Sequence, residues 1–131
     1  MTEEIKKKLI RFPQETFTKD EIINLVQEIE DQEVVESMGF KLDKNSYQIE
    51  HNSTSYKVPK KQFMLFRYLV INKNRIVQRE ELLNKVWGSD IIVGERTIDV
   101  HIRKLREVFP KNHFTTQMGI GYGWNEKNKA I

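Results

Sequence analysis

The chain has 131 residues, 38% of them hydrophobic and 31% charged, with a formal net charge of +3 and no cysteine. These values fit a globular protein and exclude a disulfide framework, a thiolate metal site and a cysteine nucleophile. The charge is unevenly placed: residues 1–39 carry −5 and residues 40–131 carry +8, and a basic segment of that size suits a polyanionic partner.

No apolar run reaches the roughly 18 residues of a membrane span. The opening MTEEIKKKLIRF lacks the apolar stretch of a signal peptide, so a cytoplasmic protein without a membrane partner is expected. Residues 18–36 place Ile22, Leu25, Val26 and Ile29 at helical spacing. Thr18 and Glu21 form a capping box, and Gly39 reads as a helix stop. The exposed face of this predicted helix is acidic, the wrong sign for phosphates, which gives it a packing role. From Phe40 the pattern turns to short alternating runs, FKLD, SYQIEHN and TSYKV, separated by Asp43–Asn45 and Asn52–Ser53; these predict three strands of a small antiparallel sheet.

Pro59 then opens a helix running to about Asn72, with Phe63, Phe66, Leu69 and Val70 on its apolar face. A second helix follows through REELLNKVWG, burying Leu82, Leu83, Val86 and Trp87 and stopping at Gly88. A loop, SDIIVGE, leads to RTIDVHIRKLREVF, and FTTQMGIGYGW reads as a hairpin in which Gly119, Gly121 and Gly123 permit tight turns and close backbone approach. The order of helix, sheet, three helices and hairpin is an α+β arrangement.

The third of the three central helices has two distinct faces. At 100° per residue Ile98, Ile102, Leu105 and Phe109 stack on one side, while Thr97, Val100, His101 and Lys104 fall on another at i, i+3, i+4 and i+7. An α-helix fits the major groove of duplex DNA. Lys104 can donate to guanine, and Val100 and the Thr97 methyl can pack on a thymine methyl. Arg96, Arg103 and Arg106 flank this face, where they can hold phosphates and fix register.

The helix and the hairpin after it together resemble the winged helix-turn-helix DNA-binding domain of OmpR/PhoB-type response regulators, over about residues 40–124. The shared signatures are the Trp-Gly pair at 87–88, the Arg-Thr-x-Asp-Val-His-Ile-Arg run from Arg96, and Gly-x-Gly-Tyr ending at Tyr122. The resemblance implies a four-stranded first sheet, its fourth strand at Val58–Lys61 or near Gly39, then three helices and a hairpin wing. It implies a sequence-specific transcriptional regulator of the two-component type, with the helix of about 95–109 in the major groove. Thr97, Val100, His101 and Lys104 then face bases. Trp87 and Tyr122 join Arg96, Arg103 and Arg106 at the phosphates. The wing of about 114–124 brings Gln117, Met118 and Gly119 near the minor groove. The loop Ser89, Asp90, Ile91, Ile92, Val93, Gly94 corresponds to one that such proteins use to touch RNA polymerase. Direct repeats, bound head to tail, are the expected DNA.

The sequence departs from this pattern in four places. Met118 stands where an arginine is common in the wing, Gln78 where a capping serine precedes the second helix, and Lys61 where the first helix often has Thr or Ser. The 39 residues before the sheet are too few for a receiver domain, so the chain is either a stand-alone DNA-binding protein, as Met1 favours, or a piece of a longer regulator. The expected organisation is an N-terminal helical extension at 1–39 for dimerisation, packing or linkage, a winged-helix domain at 40–125 and a frayed tail at 126–131.

Catalysis is not expected. His51, His101 and His113 are scattered without metal-ligand spacing, so neither metal nor cofactor is expected. The serines lack a nucleophile motif, and GIGYG lies between strands rather than opening a helix. The rival reading is a winged helix that binds protein instead of DNA, which an acidic or apolar outer face on the third helix would favour.

Overall fold

The computed structural model describes residues 18–21, 32–88 and 92–126, which fall into two units, 1–32 and 33–131. In the first unit the Glu21 amide donates to the Thr18 hydroxyl at 3.1 Å, the N-cap half of the expected capping box. The predicted apolar positions Ile22, Leu25, Val26 and Ile29 lie outside the described residues.

The second unit opens with a correction to the helix predicted over 18–36. Val34–Ser37 is strand β1, paired antiparallel with β2 (Phe40–Asp43). Two adjacent valines favour extended backbone. Met38 and Gly39, at φ +50° and +83°, supply the two left-handed residues that a tight hairpin turn requires. Gly39 therefore turns a hairpin instead of stopping a helix. This is the fourth strand, found near Gly39; Val58 and Pro59 lead directly into the next helix. Strands β3 (Gln48–His51) and β4 (Thr54–Lys57) complete a sheet of order β1-β2-β3-β4. Val35, Phe40, Leu42 and Ile49 are buried on its inner face, while the opposed pair Lys41 and Glu50 points outward.

Helix α1 spans Lys60–Ile71 and buries Phe63, Leu65, Phe66, Leu69 and Val70. Helix α2 begins as Arg79–Leu82, and the α-helix predicted as far as Gly88 is corrected there. Leu83–Trp87 forms a π turn, closed by the Gly88 amide on the Leu83 carbonyl at 2.9 Å, a widening found mostly as single turns within α-helices. Gly88 ends it at φ +97°. The Lys61 ammonium donates to the Val86 carbonyl at 2.9 Å, so this residue ties α1 to the carbonyl end of α2, where a cation is favoured. Neither Pro59 nor Gln78 caps its helix through a side chain.

Helix α3 spans Arg96–Val108. The hairpin of β6 (Phe114–Gln117) and β7 (Gly121–Trp124) follows, and it gains a strand that the sequence reading lacked. β5 (Ile76–Gln78) pairs with β7, giving the order β5-β7-β6. The Asn74 amide, in a turn residue at φ +65°, donates to the Trp124 carbonyl at 2.7 Å and seats β5 there.

Aromatic rings join the two sheets to the helices. Phe40 lies 5.4 Å from both Phe66 and Phe109 and 5.3 Å from Trp124, and Phe66 lies 4.8 Å from Phe114. Trp124 is fully buried, and its indole donates to the Ser37 hydroxyl at 2.7 Å. The Ser37 hydroxyl in turn donates to the Glu126 carboxylate at 2.6 Å. Glu126, assigned to the tail by sequence, is further held by Lys73 at 3.1 Å and by its amide on the Asn74 side chain at 2.9 Å.

Candidate nucleic-acid interface

Helix α3 sits as its two faces predict. Ile98, Ile102 and Leu105 are at most 1% exposed and anchor the helix, burial of each such side chain contributing about 1.5–3 kcal/mol. On the other face Val100 and Lys104 are exposed, and Thr97 and His101 are partly so. Among the described residues the protein's own body leaves Val100 and Lys104 open to solvent and covers Thr97 and His101 in part. Arg96 and Arg103 stand exposed on either side. Arg103 is 4.0 Å from Glu107, both side chains being 70% exposed; such a pair is worth at most about 1 kcal/mol and opens readily to a stronger anion.

His101 packs its ring 5.2 Å from that of Trp87. Burial, reinforced by the Lys104 charge, lowers its pKa from the usual histidine value. It is therefore largely neutral at pH 7 and meets a partner as a hydrogen-bonding group rather than as a cation. Its Nδ1 is buried and has no hydrogen-bond partner among the described residues. Trp87, expected at a phosphate, is largely buried, with its ring behind that of His101.

Tyr122, also expected at a phosphate, is engaged inward: its side chain is buried and its hydroxyl donates to the Asp99 carboxylate. Asp99 also accepts from Arg79 at 2.8 Å. One carboxylate of α3 thus binds the start of α2 and the last wing strand. Burial alone would raise the Asp99 pKa, but hydrogen bonds from Tyr122 and Arg79, with the charges of Arg79 and Arg96, outweigh it and hold the group below the ordinary carboxylate range. Conversely, burial first and then Asp99 raise the Tyr122 pKa. The guanidinium groups of Arg79 and Arg106 lie 5.5 and 5.9 Å from the Tyr122 ring, within cation–π range.

Arg106, expected to clamp a phosphate, also donates to Thr116 of β6 at 2.7 Å. Asp99, Arg79 and Thr116 are site-building residues that the sequence reading missed. The one signal for them was Asp99, a carboxylate in the first turn of a helix otherwise arranged for an anion.

The wing turn is closed by the Ile120 amide on the Gln117 carbonyl at 2.9 Å, with Gly119 at φ +75°. Gln117 and Gly119 are exposed, and Met118 at its tip is 85% exposed. Of the loop before α3, Ser89, Asp90 and Ile91 lie outside the described residues. Ile92 is fully exposed, Val93 packs on the core, and the Gly94 carbonyl accepts from the Thr97 amide at 3.0 Å.

Residues 53–124 match the family model described as transcriptional regulatory protein, C terminal. The phosphate regulon transcriptional regulatory protein PhoB of Escherichia coli K12 is 34% identical over 100 residues, which make up 73% of this chain and 44% of PhoB. The chain therefore spans less than half the length of that relative. The DNA-binding domain of Bacillus subtilis CssR superposes with a TM-score of 0.60 at 27% identity, over 65% of this chain and 98% of that one. The Klebsiella pneumoniae RstA DNA-binding domain, solved in complex with the RstA box, gives 0.61 at 18% identity, covering 72% and 99%, and shows the same fold.

Proposed function

On the premise that the chain belongs to the family of transcriptional regulatory protein C-terminal domains, we propose that it binds double-stranded DNA sequence-specifically and regulates transcription. The observation that carries this reading is the outward face of α3, where Val100 and Lys104 stand exposed and Thr97 and His101 partly so. Thr97, Val100, His101 and Lys104 form a surface with hydrogen-bonding, apolar and cationic groups, whose opposite side is locked into the core. Inserted in a major groove, that face puts Lys104 at a base edge, Val100 and Thr97 against methyl groups, and neutral His101 within reach of a hydrogen-bonding edge. Arg96, Arg103 and Arg106 lie where the bordering phosphates would pass. Arg106 also braces the wing, and Trp87 and Tyr122 hold the reading groups in place.

The division of labour between base and phosphate contacts supplies the test. Duplexes selected from a random pool and measured at several salt concentrations should show Lys104→Ala relaxing preference at one base pair, at a cost of about 1–3 kcal/mol. Arg103→Ala should weaken specific and random DNA alike and flatten the salt slope by about one. Equal losses on both kinds of DNA for both variants would refute this use of α3.

The wing, tipped by Met118 instead of an arginine, adds little attraction to a narrow AT-rich minor groove. Met118→Arg is expected to tighten binding to sites with AT-rich flanks by about fivefold; competition binding against GC-flanked sites measures it, and no gain would take the wing out of the groove.

The reading extends to the assembly on DNA. Binding to direct repeats and contact of the Ser89–Gly94 loop with RNA polymerase belong to the proposal, the latter supported by the complete exposure of Ile92. Self-association or linkage is the role proposed for the acidic segment before the sheet, and the cytoplasm is the proposed setting for the whole. Among the described residues no helix is long and apolar enough to cross a membrane.

A further inference from the structure

The wing differs in chemistry from the helix beside it. Residues 114–124 include no Asp, Glu, Lys, Arg or His, so the hairpin has no charge with which to hold a phosphate. Its tip is hydrocarbon instead: Met118 is 85% exposed and Ile120 48%. The bond from the Ile120 amide to the Gln117 carbonyl and the positive φ of Gly119 give the turn a type II pattern. A Cβ at Gly119 would meet nothing within 4 Å, so the tip projects clear of the body. Both wing strands are tied to α3, β6 through Thr116 on Arg106 and β7 through Tyr122 on Asp99. The apolar tip is thus continuous with the face that carries the reading groups.

We propose that Met118 is an apolar wedge that enters the minor groove beside the α3 site and unstacks one base step, with Ile120 packed behind it. This rests on the DNA-binding reading above and assigns the wing a task within it. The minor-groove floor offers hydrogen-bond acceptors and its rim offers phosphates, and a thioether side chain satisfies neither. Lying on that floor, Met118 would strip water from polar edges and return no hydrogen bond. The apolar surfaces of a duplex are its base faces, which open when a step unstacks, and Met and Ile are among the side chains that use them. Met118 suits this use, being unbranched and able to set a polarisable sulfur against an aromatic ring. Pyrimidine–purine steps kink most easily. The wing therefore selects such a step outside the bases read by α3.

The test uses the full chain and a duplex that it selects from a random pool. A TA step carrying the fluorescent adenine analogue aminopurine is moved along the flank, and unstacking brightens the probe. The wild type should brighten it at one position and bend the duplex by about 20° or more, read by energy transfer between dyes on the duplex ends. Met118→Ala should lose both signals and about fivefold in affinity for that duplex, while affinity for one with a stiff A-tract there changes less than about twofold. Met118→Leu should restore the signals. Met118→Arg should leave the probe stacked even where it binds AT-rich flanks more tightly, which separates charge from wedging. A probe dark at every position under the bound wild type, or equally bright under Met118→Ala, overturns the wedge and leaves the DNA-binding reading standing. Failure of the wild type to select any duplex overturns both.

Discussion

Gly121→Ala is expected to destabilise the fold by about 3 kcal/mol or more, near the upper end of what one added methyl does in a packed interior. The cause is space. A Cβ on Gly121 would lie 2.0 Å from the Val77 carbonyl oxygen, 2.8 Å from its carbon and 3.0 Å from the Gln78 Cα. All three are backbone atoms of β5, so no side chain can turn aside, and relief requires β5 to leave β7. That movement would break the pairing of Val77 with Tyr122 and open the fully buried Val77 side chain to water. Thermal unfolding should show a fall in Tm of about 10 °C for a chain of this size. Gly119→Ala is the control. It meets nothing within 4 Å and suffers only its φ of +75°, a penalty of about 1–2 kcal/mol. Equal effects at the two glycines would mean that β5 is not packed on the wing as described.

The contrast between these glycines bears on what the sequence reveals. A hairpin and its need for close approach were legible in the spacing of Gly119, Gly121 and Gly123, but the object approached was not. β5 has only three residues and no alternation of its own; it is a strand because β7 offers it an edge, which is information held far along the chain. β1 was hidden for a related reason. Val34 and Val35 continue an acidic stretch with helical spacing, and only the pairing to β2 through a two-residue left-handed turn converts them to a strand. The π turn has no local signature, and Lys61 reads as a missing cap until its ammonium is seen on the Val86 carbonyl. Periodicity served best where one element alone carries the pattern. The outward placement of Val100 and Lys104 needs nothing but the burial of Ile98, Ile102 and Leu105. Trp87 and Tyr122 fell between these cases. Their identities matched a pattern of phosphate contacts, yet their side chains are engaged by His101 and Asp99, partners that sequence spacing does not point to.

Asp99→Ala is expected to cost about 2–3 kcal/mol of stability. It removes an acceptor shared by Arg79 and Tyr122; hydrogen bonds to a charged group are worth about 1.5–3 kcal/mol each, and the sum is discounted here because the Asp99 side chain is 40% exposed. The pH dependence identifies the carboxylate as the cause. Its folded pKa is depressed, so its contribution is full above the unfolded value near 3.9 and disappears as pH falls through the folded one. Tyr122 has the opposite displacement: its folded pKa is raised, so its contribution is full below the unfolded value near 10 and disappears as pH rises through the folded one. Between those limits the Tm difference between wild type and Asp99→Ala should be flat, and it should begin to narrow below about pH 4. On DNA the variant should lose affinity without changing base preference, because Asp99 points at Arg79 and Tyr122 rather than outward. The loss should reach about tenfold, as the carboxylate that ties β7 of the wing to α3 is gone while Arg106 still holds Thr116. A Tm difference that persisted unchanged to pH 3, or a variant that altered the preferred bases, would show that this carboxylate does not act as the joint between the reading helix and the wing.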